Sequence, residues 1–234
     1  MTPMPRFRRR TALAALSLAC AAACAREPSG ERIVLVTLDT LRWDAFAGRN
    51  GESGSMPNLA RWADASAVFE RYYSASSTTQ PTHATLFTGL HPWQHGVPCN
   101  GAVLPAEHVT LVERLREAGF YTAGAIASFP VHSQFGWDQG FEEFQDEFTH
   151  GDAEQWSGVD VEAKGFYSEA AHVVDQAIEL LDAAPGSRQF FWFHLYDPHA
   201  PYGDTGGGDT GGRSKAHLTP REIGRLIQEG EVAD

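Results

Sequence analysis

The run Ile33-Val34-Leu35-Val36-Thr37-Leu38, which stops abruptly at Asp39, constrains the fold more than any other stretch. Its residues are mostly β-branched or large and apolar, with no polar alternation. A strand wetted on one face alternates, so this pattern predicts an inner strand of a parallel sheet, buried on both faces. Residues 121–127, small and apolar, and 189–196, rich in aromatics, have the same inner-strand character. Residues 68–73 read as a further strand. Helical signals lie between. Residues 57–63 open on proline, the favoured first helical residue. Residues 81–88 and 109–118 are followed by Gly89 and Gly119, which suit helix ends. Residues 166–184 carry apolar side chains at helical spacing. Strands alternating with helices predict a layered α/β sheet.

The chain has 234 residues and is 42% hydrophobic, enough for one domain with a core. Asp and Glu number 30 against 18 Lys and Arg, a formal net charge of -12. A nucleic-acid binder carries the opposite balance, so nucleic acid is excluded as a partner.

The first residues read as an export signal rather than as fold. Arg6, Arg8, Arg9 and Arg10 precede an apolar run over residues 11–23 that ends in small residues. The run is shorter than the roughly 20 residues that span a bilayer. Cys20 and Cys24 close it in the manner of a lipoprotein cleavage site, although neither has the usual leucine three places before it. The expected location is outside the cytoplasm: periplasmic, or membrane-anchored through a lipidated Cys20 or Cys24. The arginines also permit twin-arginine export. Only Cys99 remains beyond residue 24, expected to be a buried or idle thiol. Residues 203–207 repeat at once as 208–212, ten residues with no hydrophobic side chain. They are expected to form a flexible loop (203–213) rather than a calcium loop. A helix-like tail over 214–234 follows, and the domain is expected to be incomplete at its C-terminus.

Three places carry chemistry. Asp39 ends the first inner strand, the sheet edge where open α/β folds bind ligands, and its carboxylate suits a metal ion. The competing reading is a loop aspartate capping a helix. Thr79-Gln80-Pro81-Thr82-His83-Ala84 begins a helix, whose N-terminal N–H groups and dipole favour an anion. A hydroxyl there is placed to attack phosphorus or sulfur, or else Thr78 or Thr79 is only an N-cap. His194-Leu195-Tyr196-Asp197-Pro198-His199 follows the third inner strand and crowds titratable groups at the same edge. There His199 is either a proton donor or a surface histidine in a proline-rich turn.

These pieces occur in order with Met56-Pro57-Asn58-Leu59, His91-Pro92-Trp93-Gln94-His95-Gly96-Val97, Gly119-Phe120-Tyr121-Thr122-Ala123 and Ala200-Pro201-Tyr202. Together they resemble the N-terminal part of the sulfatase family, within the alkaline-phosphatase superfamily, over residues 32–202. The resemblance implies an alkaline-phosphatase-like three-layer α/β sandwich. It also implies a hydrolase or phosphotransferase acting on an anionic phosphoric or sulfuric ester. Asp39 and Thr79 then bind a divalent metal (Ca, Mn, Zn or Mg), with further ligands from a later segment. Thr79 stands where sulfatases place the formylglycine precursor, His83 replaces the usual arginine and contacts substrate, and His199 matches a histidine on the transferred or leaving group.

The sequence departs from true sulfatases at several of these positions. Threonine cannot become formylglycine, so none is expected. Thr40 replaces a second metal aspartate. Ala127 and Phe129 stand where a lysine and a histidine bind sulfate. Threonine nucleophiles occur among the superfamily's phosphodiesterases and phosphotransferases, which favours a phosphoester. The alternative is a truncated, inactive sulfatase-fold lipoprotein.

Overall fold

The computed structural model describes residues 30–47, 56–151 and 153–199. The leader with Cys20 and Cys24, the glycine-rich repeat and the tail lie outside the described residues. Strand β1 (Glu31–Leu38) leads to helices α1 (Trp43–Ala47), α2 (Pro57–Ala63), α3 (Thr79–Thr88), α4 (Pro92–His95) and α5 (Leu111–Glu117). Then come β2 (Tyr121–Ile126), β3 (Glu143–Gln145), the small hairpin β4 (Gln155–Trp156) and β5 (Val159–Asp160), α6 (Ala170–Ala183) and β6 (Arg188–Leu195). The main sheet has order β1-β6-β2-β3, and every pairing in it is parallel.

Alternation along β6 divides the core between the two faces. Phe190 and Trp192 join Ala84 and Phe87 of α3, Val112 of α5 and Phe129 on one face. Phe191 and Phe193 join Ala123 and Ala125 of β2 with Val173, Ala177 and Leu180 of α6 on the other. Each face is therefore covered by helices, which gives the sheet its layered packing. Gly124 is small for a packing reason, since a Cβ there would stand 3.0 Å from the Phe144 ring. Gly89 ends α3 in the left-handed conformation (φ 71), so the sequence-predicted stop is the observed one.

Two expectations are corrected. Residues 68–73 form no strand; Phe69, Tyr72 and Tyr73 are exposed there. Their β-branched and aromatic composition marks surface that packs against something, and no described strand pairs with it. The first strand is also not buried on both faces. β1 lies at the edge of the described sheet, with Val34 46% and Val36 44% exposed, while β6 holds the inner position. An unalternating apolar run shows that a strand needs cover on both sides. It does not say which segment supplies that cover. Cys99 is exposed rather than buried.

Candidate active site

Parallel pairing brings the ends of β1 and β6 level, with Thr37 opposite His194 and Leu38 opposite Leu195. The Asp39 N–H then donates to the Leu195 carbonyl (2.9 Å), so the aspartate leaves the sheet at a fixed point. The next residue, Thr40, takes φ 55, a left-handed conformation that costs a non-glycine residue free energy. This turn holds Asp39 over the sheet edge, buried at 9% exposure.

Helix α3 starts beside it. Thr78 is the N-cap in extended conformation, yet its side chain makes no capping bond. The Thr79 hydroxyl turns away from the helix backbone and donates to Asp39 Oδ2 at 3.1 Å. The capping reading therefore fails for both threonines. Of the amides in the first turn, that of Gln80 is taken by Asn100 Oδ1 (3.0 Å) and that of Thr82 by the Thr78 carbonyl (3.3 Å). Pro81 has none, so the N-terminus offers an anion its dipole and the Thr79 N–H rather than a row of donors.

Gln80 is the anchor of this helix start, and nothing in the local sequence pattern marks it. It is fully buried; its Nε2 donates to the Pro130 carbonyl (2.8 Å) and its Oε1 accepts from the N–H groups of Gly101 (2.6 Å) and Ala102 (3.2 Å). The helix that presents Thr79 is thus pinned to two loops through one amide.

His83 occupies a different place from the one expected. It is buried at 5% exposure, with Nδ1 2.8 Å from the Thr79 carbonyl and Nε2 3.3 Å from Thr37 Oγ1. A carbonyl oxygen only accepts, so Nδ1 carries the proton and donates. Burial, and next the charge of His194, pull the ring down to about 4 against the Thr79 hydrogen bond and Asp39, so it is neutral at pH 7. Its Nε2 is then an acceptor, served by the Thr37 hydroxyl, which itself accepts from Trp192 Nε1–H at 3.0 Å. Both ring nitrogens are used inside the protein. His83, expected to contact substrate, here braces the first turn of α3.

His194 joins the group from β6. It is fully buried, with Nε2 3.6 Å from Asp39 Oδ2, and its ring lies 5.2 Å from that of His83. Burial raises the Asp39 carboxyl, but His194, then His83 and the Thr79 hydroxyl, outweigh it and hold the group below the usual range. His199 stands further out. It stacks on Tyr196 with centroids 4.3 Å apart, and the Tyr196 ring lies 6.4 Å from that of His194. Burial, with the Asp39 charge second, raises the Tyr196 hydroxyl to about 12, so it stays protonated. Asp197 of the same turn accepts from the Ala170 N–H (2.8 Å) and ties the turn to the start of α6.

The structure thus unites Asp39, Thr79, His83 and His194 and holds His199 one aromatic ring away. Ala127 and Phe129 are fully buried, one in each apolar core, so a charged group at either position would lie in apolar surroundings. As for a metal, Asp39 and Thr79 are hard oxygen donors of the right kind. They are too few, since zinc takes about four ligands and calcium about six to eight. Among the described residues no cluster of three or more His, Cys, Asp or Glu is arranged to hold one.

A parallel sheet with a buried carboxylate at a strand end and a hydroxyl bonded to it from a helix start defines an α/β protein with a polar site at its sheet edge. Comparison with known proteins specifies the class. The sulfatase family matches residues 31–208, and the chain belongs to that family. It is 26% identical over 196 residues to an N-acetylglucosamine-6-O-sulfatase of Bacteroides thetaiotaomicron, covering 80% of this chain and 34% of that protein. It is 33% identical over 96 residues to arylsulfatase G of Mus musculus, covering 39% of this chain and 18% of that one.

Among solved structures, a complex described as holding its substrate D-glucosamine-2-N,6-O-disulfate aligns with TM-score 0.58 and 20% identity. The alignment covers 85% of this chain and 38% of that one. The phosphonate monoester hydrolase of Agrobacterium radiobacter aligns with TM-score 0.56 and 21% identity, over 74% of this chain and 42% of that one. These structures share the fold. The chain spans less than half the length of each of these relatives.

Proposed function

We propose that this chain carries the nucleophile-bearing part of an enzyme that hydrolyses or transfers an anionic phosphoric or sulfuric ester, with a phosphoester preferred. The observation that carries the reading is the Thr79 hydroxyl aimed at Asp39 Oδ2 at the start of α3. A threonine that merely capped the helix would bond to the helix backbone.

In the proposed reaction the Thr79 oxygen attacks phosphorus in line. The bond to the leaving oxygen breaks as the new P–O bond forms, and the hydroxyl proton passes to Asp39 late in the step, when the oxygen has become acidic. The charge on the transferred group faces the N-terminus of α3 and the Thr79 N–H. His199 gives a proton to the leaving oxygen. Water, or an acceptor hydroxyl, then gives its proton to His199 and attacks the phosphothreonine; the P–O bond to Thr79 breaks and Asp39 returns the proton to the Thr79 oxygen. His83 braces the helix throughout.

The relatives' names mention both sulfates and a phosphonate monoester. The preference for phosphorus rests on this chain's own residues: threonine at the formylglycine position, and apolar cores where a lysine and a histidine bind sulfate. A divalent metal belongs to the reading as a family expectation, held in part by Asp39. No step above is routed through it. The exported location, periplasmic or membrane-anchored through a lipidated cysteine, is part of the same proposal; acyl labelling of the precursor at Cys20 or Cys24 tests the anchor.

The decisive experiment incubates the protein with aryl phosphate, phosphodiester, phosphonate monoester and aryl sulfate, each with Mn, Zn, Ca or Mg, beside Thr79→Ala. Release from a phosphorus ester that is lost in Thr79→Ala supports the reading. Faster sulfate release overturns the preference, and undiminished turnover by Thr79→Ala overturns the nucleophile. No turnover with any substrate favours the truncated, inactive alternative.

A further inference from the structure

His194 is a buried polar group that the reaction above leaves unused. Its side chain has no exposed surface, and neither ring nitrogen has a partner within hydrogen-bond distance. A buried polar group left unpaired is unfavourable, and native structures rarely keep one without a reason. The surroundings leave few choices. Trp192 and Tyr196 flank the ring at 6.0 and 6.4 Å, and His83 packs against it at 5.2 Å with both of its own nitrogens already engaged. Among the described residues, Asp39 Oδ2 stands beside it as an acceptor, 3.6 Å from Nε2, a few tenths of an ångström beyond an ordinary hydrogen bond.

We infer that His194 is a positioning residue for the Asp39 carboxylate, holding a proton on Nε2 and donating it to Oδ2. The inference rests on the reading of Asp39 and Thr79 as the working pair. The register supports it independently. His194 sits opposite Thr37 across the β1–β6 pairing, and the Asp39 N–H is bonded to the residue after His194. The aspartate is therefore gripped by β6 twice, at its backbone by Leu195 and at its side chain by His194. Oδ2 then receives two donors, Thr79 and His194, and cannot swing toward an incoming group. A carboxylate held this way keeps one orientation through the cycle, which is what a neighbouring hydroxyl needs if it is to meet the substrate in line.

The test reads the ring directly and needs no turnover, so it stands apart from the fate of the proposed activity. The intact chain, 15N-labelled at histidine, is studied by long-range 1H–15N correlation near neutral pH. Assignment is by His194→Gln. The expected result is a His194 proton on Nε2, whose Nε2 resonance shifts in Asp39→Asn while that of the buried His95 does not move. A proton on Nδ1 instead, or an Nε2 resonance indifferent to Asp39→Asn, overturns the inference. Where the chain has measurable turnover, His194→Leu lowers kcat about 10- to 100-fold with little change in KM, and His194→Gln, which keeps an N–H donor, recovers part of the loss. Equal kcat in His194→Leu and wild type also overturns it. If the tautomer is as expected and no ester is turned over, the inference holds and the functional proposal fails.

Discussion

The Thr79 hydroxyl meets Asp39 Oδ2 at 3.1 Å across forty residues of sequence, joining a strand end to a helix start. In the sequence each residue has an ordinary explanation as a helix cap. In the fold neither caps a helix, and each gives the other a role. Replacing Asp39 by Asn preserves shape but removes the proton acceptor, so turnover is expected to fall about 10³-fold or more, as for other groups that act as a unit. Steady-state rates on the best phosphorus ester check this, with circular dichroism confirming that the fold is retained.

Gln80 is expected to matter as much for stability as for placement. Gln80→Ala leaves the N–H groups of Gly101 and Ala102 and the Pro130 carbonyl without their partner in a buried place. The expected cost is about 3 kcal/mol, since each stranded buried group costs roughly 1–3 kcal/mol and some admit water. A urea melt measures it as a lower midpoint at unchanged slope.

Thr40 stores strain beside the site. Its φ of 55 favours glycine or asparagine, and its side chain is exposed. Thr40→Gly is expected to raise stability by about 0.5–1 kcal/mol, the relief of the left-handed conformation less the entropy added to the unfolded chain. The same melt reads it. A fall in stability would show that the Thr40 side chain makes a contact worth more than the strain.

Acid should weaken the fold through His83. Its folded pKa is about 4 against an ordinary 6.5, so the folded protein keeps the ring neutral where the unfolded chain protonates it. The stability linked to it is complete above pH 6.5 and falls as pH drops toward 4. A shift of this size corresponds to about 3 kcal/mol. Asp39, also lowered, adds a loss in the same direction at more acidic pH. Denaturation at pH 7 and pH 4.5 should differ accordingly, and His83→Gln should flatten the slope between them.

Metal binding by the chain alone is expected to be weak, at millimolar concentration or above, because two oxygen donors lie far below the ligand number of tight sites. Water-proton relaxation during Mn titration checks this. Asp39→Ala should abolish whatever binding is seen, and micromolar affinity would reveal ligands beyond the described residues.

Much of the scaffold was legible because it depends on local rules. The 57–63 helix with its leading proline, the stop at Gly89 and the inner-strand character of residues 189–196 all follow from backbone preference and side-chain patterning. The positions of Asp39 and Thr79 were legible because one ends a strand and the other begins a helix. The misplaced readings share one cause. Residues 68–73 and β1 were read from composition, which reports the need for burial and not the partner that provides it. His194 was visible among the titratable groups of its segment, without a role, since nothing in the run of sequence says which face of β6 it takes. Gln80 carried no signal at all, because its partners lie in the loops at 100–102 and 130.

The sequence by itself determined the alternating strands and helices, the carboxylate at the first strand end and the hydroxyl at the helix start. Each of these follows from residue type and near neighbours. Only the tertiary structure decided that Thr79 faces Asp39, that His83 is buried with both ring nitrogens engaged, and that His194 lies buried behind the carboxylate. Those facts depend on parallel strand register and on which side chains share a face, and that information exists only once distant segments have packed.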